Sequence, residues 1–168
     1  TVFTNQVIYA CIGIGAAIAA FFIPQRWLSD MAYPAYVLGI GALVLVLTPL
    51  GHVVNGQQCW IKIGSFTFQP SELAKITTLL AIARYTSMKG FDIRTFRDLS
   101  VVLLMTLVPV ALIMLQPDAG SATVFLAMFL WIYLWVGGDL FLLFVVLCLP
   151  FIGIAALYNS LFDNVWWL

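Results

Sequence analysis

The sequence predicts an all-α, polytopic membrane helix bundle of about six transmembrane helices, in a single membrane domain over residues 1–168. Two observations predict it. The chain is 64% hydrophobic and 8% charged, with a mean hydropathy of +1.09, whereas soluble domains average about 45–50% apolar and about 25% charged residues. A chain this apolar cannot cover its surface in water, so lipid is its natural solvent. The apolar residues also come in long continuous runs rather than alternating with polar ones. Strands in lipid must alternate and close into barrels, so no sheet is expected.

The elements follow in order, a bilayer needing about 20 apolar residues per helix. The first run is 6–23, and the second is 31–50 with Pro34 in its first turn. A polar loop, 51–69, contains the turn signal Asn55-Gly56. The third run, 70–87, is followed by the charged segment "MKGFDIRTFRD", which reads as a solvated loop. The fourth run, 99–115, carries Pro109, which predicts a kink. The turn "QPDAG" leads to the fifth run, 121–136, and the sixth, 140–158, carries Pro150. Trp166 and Trp167 close the chain at an interface, where Trp is favoured.

Alternate loops lie on opposite sides. One side holds Arg26, Arg84, Lys89, Arg94 and Arg97, and the other holds Lys62, with Lys75 just inside a helix. The excess of Lys and Arg assigns the first side to the cytoplasm. Thr1, the loop 51–69, "QPDAG" and the C-terminus then face outward. The first residue is Thr1 rather than Met and no basic n-region precedes the first apolar run, so that run does not read as a signal peptide, and an additional helix upstream would reconcile an outward N-terminus with insertion.

Formal net charge is zero and there is no basic stripe, so nucleic acid is not an expected partner. Cys11, Cys59 and Cys148 are widely spaced, without a CxxC or Cys/His cluster, so no zinc site or disulfide framework is expected. His52, the single histidine, reads as a surface residue beside a loop.

Three polar clusters interrupt this pattern. In "SFTFQPSELAKI", Pro70 suits the first helical position, where its missing N–H would be unpaired anyway. Gln69 then falls at the cap, with Glu72 in the first turn near free N–H groups. Ser71, Glu72 and Lys75 are spaced to share a helical face. A lone ammonium in the membrane costs at least a few kcal/mol, so Lys75 needs Glu72, another carboxylate, an aqueous cavity or a route to the interface by snorkelling. In "LQPDAGSA", Asp118 can cap the next helix, and Gly120-Ser121-Ala122 allow close helix contact. A tight hairpin accounts for Asp118 but poorly for Gln116. In "NGQQCWIKIG", Trp60 suits either an interface anchor or part of a lid. Phe125, Trp131 and Trp135 read as core or lipid-facing rather than substrate-stacking. All three clusters fall on the outward side, which argues for a polar site open to that face.

At "NGQQCWIKIG", "FQPSELAKI" and "LQPDAGSA" the sequence resembles the SEDS family, the RodA/FtsW polymerases of bacterial cell-wall synthesis, with the motifs in the family order. The resemblance covers essentially the whole chain and leans towards RodA. It implies that these helices correspond to the second to seventh of about ten, and that the chain is part of a larger domain in the bacterial cytoplasmic (inner) membrane. Cys59 departs from the Arg that usually precedes the Trp. The catalytic Asp of the family lies in a large outward loop after the seventh helix. The chain ends at Leu168 as that loop begins, and "YNSLFDNVWWL" does not supply the motif, so Asp163 is not assigned that role and the catalytic residue stays unknown.

The resemblance implies a peptidoglycan glycosyltransferase. An acceptor sugar of lipid II attacks the anomeric carbon of a donor, a carboxylate takes its proton, and undecaprenyl diphosphate leaves. The expected substrate-binding or cavity residues are Trp60, Gln69, Ser71, Glu72, Lys75, Gln116 and Asp118. Lys75 is the best-placed cation for the leaving diphosphate, and Glu72 would hold it. No cofactor or metal-binding residue is evident, and a divalent cation is the other source of positive charge. Expected partners are lipid II, membrane lipid and a class B penicillin-binding protein. The competing readings are a lipid II flippase and a membrane scaffold for that partner.

Overall fold

The computed structural model describes residues 2–54, 57–63 and 66–141. The expected turn at 55–56, most of the sixth run, Cys148, Pro150, Asp163 and the terminal tryptophans lie outside the described residues. Five helices are described: α1 (Val2–Phe21), α2 (Gln25–Val46), α3 (Pro70–Thr86), α4 (Phe96–Met114) and α5 (Ala119–Trp135). The chain is mainly helical, but the expected count of six spans is not reproduced among the described residues. α2 and α4 are long and apolar enough to cross a membrane, while Gln6–Phe21 and Ala119–Trp135 are apolar but shorter. α3 has 17 residues and carries Glu72, Lys75 and Arg84.

Helix starts differ from the apolar runs because backbone hydrogen bonding, not hydropathy, sets a helix boundary. α2 begins six residues before the run at 31, after Pro24 in extended backbone, so Pro34 lies inside the helix rather than in its first turn. α4 begins at Phe96 because the Thr95 side chain accepts the Asp98 N–H. Pro70 opens α3 as expected.

The expectation of no sheet is overturned in the loop 51–69. β1 (Gly51–Val54), β2 (Gln57–Ile63) and β3 (Phe66–Phe68) form an antiparallel sheet in that order. The exclusion of strands holds for lipid-embedded segments, whereas these strands connect two helix ends outside the long apolar runs. His52 pairs with Trp60 and Val53 with Gln58, which leaves Cys59 as the extra residue of a β-bulge. Gln58 Nε2 ties the sheet to the end of α2 through Thr48 O at 2.8 Å. Gly51 is required by close approach, because a Cβ there would run into Val46 O.

α3 lies at the centre of the bundle. Its buried stripe of Ser71, Ala74, Thr77, Thr78, Ala81 and Ile82 consists mostly of small side chains, which allows other helices to approach closely. Gly39 of α2 meets this stripe at Ala74 and Thr77. Leu43, Ala74, Ile113, Ala122 and Phe125 fill the core near the sheet, and Ile82, Ile93, Val102, Phe129 and Tyr133 fill it at the other end. Phe125 is thus core, while Trp131 and Trp135 are exposed on the apolar outside, as the sequence suggests. α1 is exposed from Gln6 to Phe21.

The end opposite the sheet is more ordered than a solvated loop requires. Asp98 accepts hydrogen bonds from Tyr85 Oη at 2.9 Å and from the Asp92 N–H at 2.9 Å. Gly90 supplies a left-handed turn at φ 86°. Lys89, Arg94 and Arg97 remain exposed.

Candidate functional site

The sequence clusters 66–76 and 115–122 meet at the sheet end of the bundle. Gln69, at the cap position of α3, does not close its own helix with its side chain. It donates through Nε2 to Asp118 Oδ2 at 3.2 Å, across 49 residues of chain. The other Asp118 oxygen accepts the Ser121 N–H at 3.1 Å and so caps α5. Both carboxylate oxygens are engaged and Asp118 is 8% exposed. This arrangement suits a clamp that fixes the geometry of the site better than a base that takes up a proton.

Gln116 is the residue a hairpin alone explains poorly. It is buried, and its Nε2 donates to Leu43 O at 3.2 Å, joining the end of α4 to α2. A buried backbone carbonyl left without a partner costs about 1–3 kcal/mol, so Gln116 acts in packing.

Lys75 and Glu72 form an ion pair, Nζ to Oε1 at 2.6 Å, with Lys75 22% and Glu72 59% exposed. Ser71 does not join them, contrary to the expectation of one shared face. It is buried, and its hydroxyl has no partner among the described residues. The helical repeat explains the split: Lys75 lies about 40° from Ser71 and about 60° from Glu72 around the axis. Lys75 therefore sits at the boundary between the buried stripe and the open face. Trp60 is half-buried on the sheet, paired in register with the exposed His52.

Position 59 carries information that spacing could not reveal. The bulge leaves the Cys59 side chain buried at 2% exposure. Burial first, and then the negative charge of Asp118, push its thiol pKa up. A raised pKa means less thiolate at any given pH, so Cys59 should alkylate slowly. In a variant retaining Cys59 as its only cysteine, maleimide labelling should rise only at a pH above that of a free thiol. A pH profile matching free cysteine would contradict this placement. Among the described residues no three His, Cys, Asp or Glu side chains are grouped to hold a metal ion.

The whole chain is also similar to known proteins. The family model described as "Cell cycle protein", FtsW/RodA/SpoVE, matches residues 1–166. A probable peptidoglycan glycosyltransferase FtsW from Nitrosomonas europaea is 39% identical over 86% of this chain and 38% of its own length. Peptidoglycan glycosyltransferase RodA from Treponema pallidum is 33% identical over 87% of this chain and 33% of its own length. These identities do not reproduce the lean towards RodA. The crystal structure of the rod shape determining protein RodA from Thermus thermophilus superposes with a TM-score of 0.75 at 33% identity, over 89% of this chain and 49% of that one. A chain from a structure described as "Structural coordination of polymerization and crosslinking by a peptidoglycan synthase complex" also gives 0.75 at 33% identity, over 94% of this chain and 45% of that one. The chain thus spans under half the length of each of these proteins, and over that span it belongs to the FtsW/RodA/SpoVE family of helical membrane proteins.

Proposed function

We propose that the chain is part of a peptidoglycan glycosyltransferase that polymerises lipid II at the outer face of the bacterial cytoplasmic membrane. The observation that carries this reading is the Gln69–Asp118 contact. It brings two separate motifs, both of which resemble the family's, to one end of the bundle beside the Lys75–Glu72 pair. Lys75 meets the diphosphate of the donor lipid, and charge developing on that leaving group is stabilised by its ammonium. Glu72 orients Lys75. Asp118 and Gln69 hold the helix ends that frame the headgroup. The acceptor hydroxyl loses its proton to a carboxylate of the larger domain as the anomeric bond to the diphosphate breaks. A divalent cation is a further source of charge for the diphosphate, tested by chelation. A class B penicillin-binding protein then crosslinks the product.

A flippase needs a polar path across the bilayer. Among the described residues the buried interior between the two ends holds Leu43, Ile82, Val102, Ile113 and Phe125 with the hydroxyls of Thr77, Thr78 and Thr106, but no charged side chain, which favours chemistry at one face. Purified full-length protein should make glycan strands from lipid II in detergent. A protein that instead only moved lipid II across sealed vesicles, or did neither, would be a flippase or a scaffold. The orientation has its own test. An impermeant thiol reagent should fail to label a cysteine at position 91 in intact cells, and labelling there would sink the topology.

A further inference from the structure

A largely apolar cavity with polar groups on its lining lies at the end of the bundle opposite the sheet, between the start of α2 and the end of α3. It has a volume of about 430 Å³ and is lined by Gln25, Leu28, Ser29, Arg84 and Ser87, with Leu80 and Ala83 on the α3 side. Arg84 is half-buried, and among the described residues it has no carboxylate partner. Neither Gln25 nor Ser29 has its side chain engaged in a hydrogen bond among the described residues, whereas the Ser87 hydroxyl already donates to Ala83 O at 2.7 Å. No acidic side chain lines the cavity. The start of α2 adds to its positive character, with no side-chain cap and no acidic residue in its first turn.

We propose that this cavity binds the phosphate of an anionic phospholipid in the cytoplasmic leaflet. A guanidinium with free amide and hydroxyl donors suits a phosphate ester, since Arg forms paired charge-assisted hydrogen bonds to phosphate oxygens. Two features favour a lipid over a free phosphate. The cavity has an apolar floor, Leu28 and Leu80, against which a glycerol and the first acyl methylenes can pack. Trp27, on the neighbouring position of α2, is 70% exposed, as suits a side chain at a membrane interface. The choice of leaflet rests on the orientation proposed above, but binding itself does not.

Native mass spectrometry of the full-length protein in detergent, titrated with phosphatidylglycerol, tests the proposal. The wild-type protein should retain one lipid, and Arg84→Gln should weaken that retention roughly tenfold. Arg26→Gln should behave like wild type, because Arg26 lies at the same end but does not line the cavity. Ser29→Ala with Gln25→Leu provides a second arm should Arg84→Gln fail to fold, and should also weaken retention. Equal losses from Arg26→Gln and Arg84→Gln would mean diffuse attraction and would overturn the site. Displacement of the lipid by millimolar inorganic phosphate would overturn the choice of a lipid. These readouts do not depend on polymerisation, and leaflet placement is read separately by labelling at position 91.

Discussion

Lys75→Ala in the full-length protein should abolish lipid II polymerisation while the protein still inserts and accumulates. The structure shows why the fold should survive its removal. Glu72 is 59% exposed and lies in the first turn of α3, at the end of the helix, so it can take a proton when its partner goes, and an ion pair at a surface contributes only about 0–1 kcal/mol to stability. Removing a preorganised charge stabiliser from a transition state, by contrast, typically costs about a hundredfold to a thousandfold in rate. Lys75→Arg should restore activity only in part, because a planar fork replaces a compact ammonium. The measurement is glycan synthesis normalised to folded protein. Wild-type activity in the alanine variant would mean that Lys75 only snorkels to the interface and would remove it from the site.

The second large effect is expected at the contact between α2 and α3. A Cβ on Gly39 would run into Thr77 Oγ1, while its next neighbours, Ala74 Cα and Thr77 Cβ, would both lie at 3.5 Å, an ordinary contact. Thr77 is itself held by a hydrogen bond to Ala74 O at 3.2 Å. Gly39→Ala should therefore destabilise the bundle by about 1–3 kcal/mol, the usual cost of overpacking. Thr77→Ala removes the clashing atom, so the double variant should recover most of that loss. Thermal unfolding of the four proteins of this cycle in detergent reads the coupling. Additive losses in the double variant would show that the close approach at Gly39 does not limit this packing.

Much of this architecture was legible in the sequence because its signals are local. Pro70 marked the first residue of α3, Asp118 the cap of α5, and the composition pointed to a helical membrane bundle. The Lys75–Glu72 pair was one of the arrangements that helical spacing and the cost of a lone charge in lipid allowed. What escaped prediction depends on partners distant in sequence. Gln116 had no local reason to be polar, since its acceptor, Leu43 O, lies 73 residues away. Gln69 looked like a cap, yet its side chain serves Asp118. Ser71 seemed to belong with Lys75 and Glu72, but a helix turns about 100° from one residue to the next, which buries Ser71, opens Glu72 and leaves Lys75 at the boundary between them. The small sheet was missed because an argument about lipid was extended to a connection between helix ends. Its bulge then placed Cys59 in the interior, where alternation alone could not fix the facing.

The central claim is that the sheet end of this bundle receives the headgroup of lipid II. Photocrosslinking with a lipid II analogue that carries a diazirine on its disaccharide, using full-length protein in membranes, tests it most directly. The adducts should map to peptides containing 58–62, 69–76 and 116–121, and should weaken when unlabelled lipid II competes. Adducts confined to 24–29 or 88–98, at the opposite end, would contradict the account.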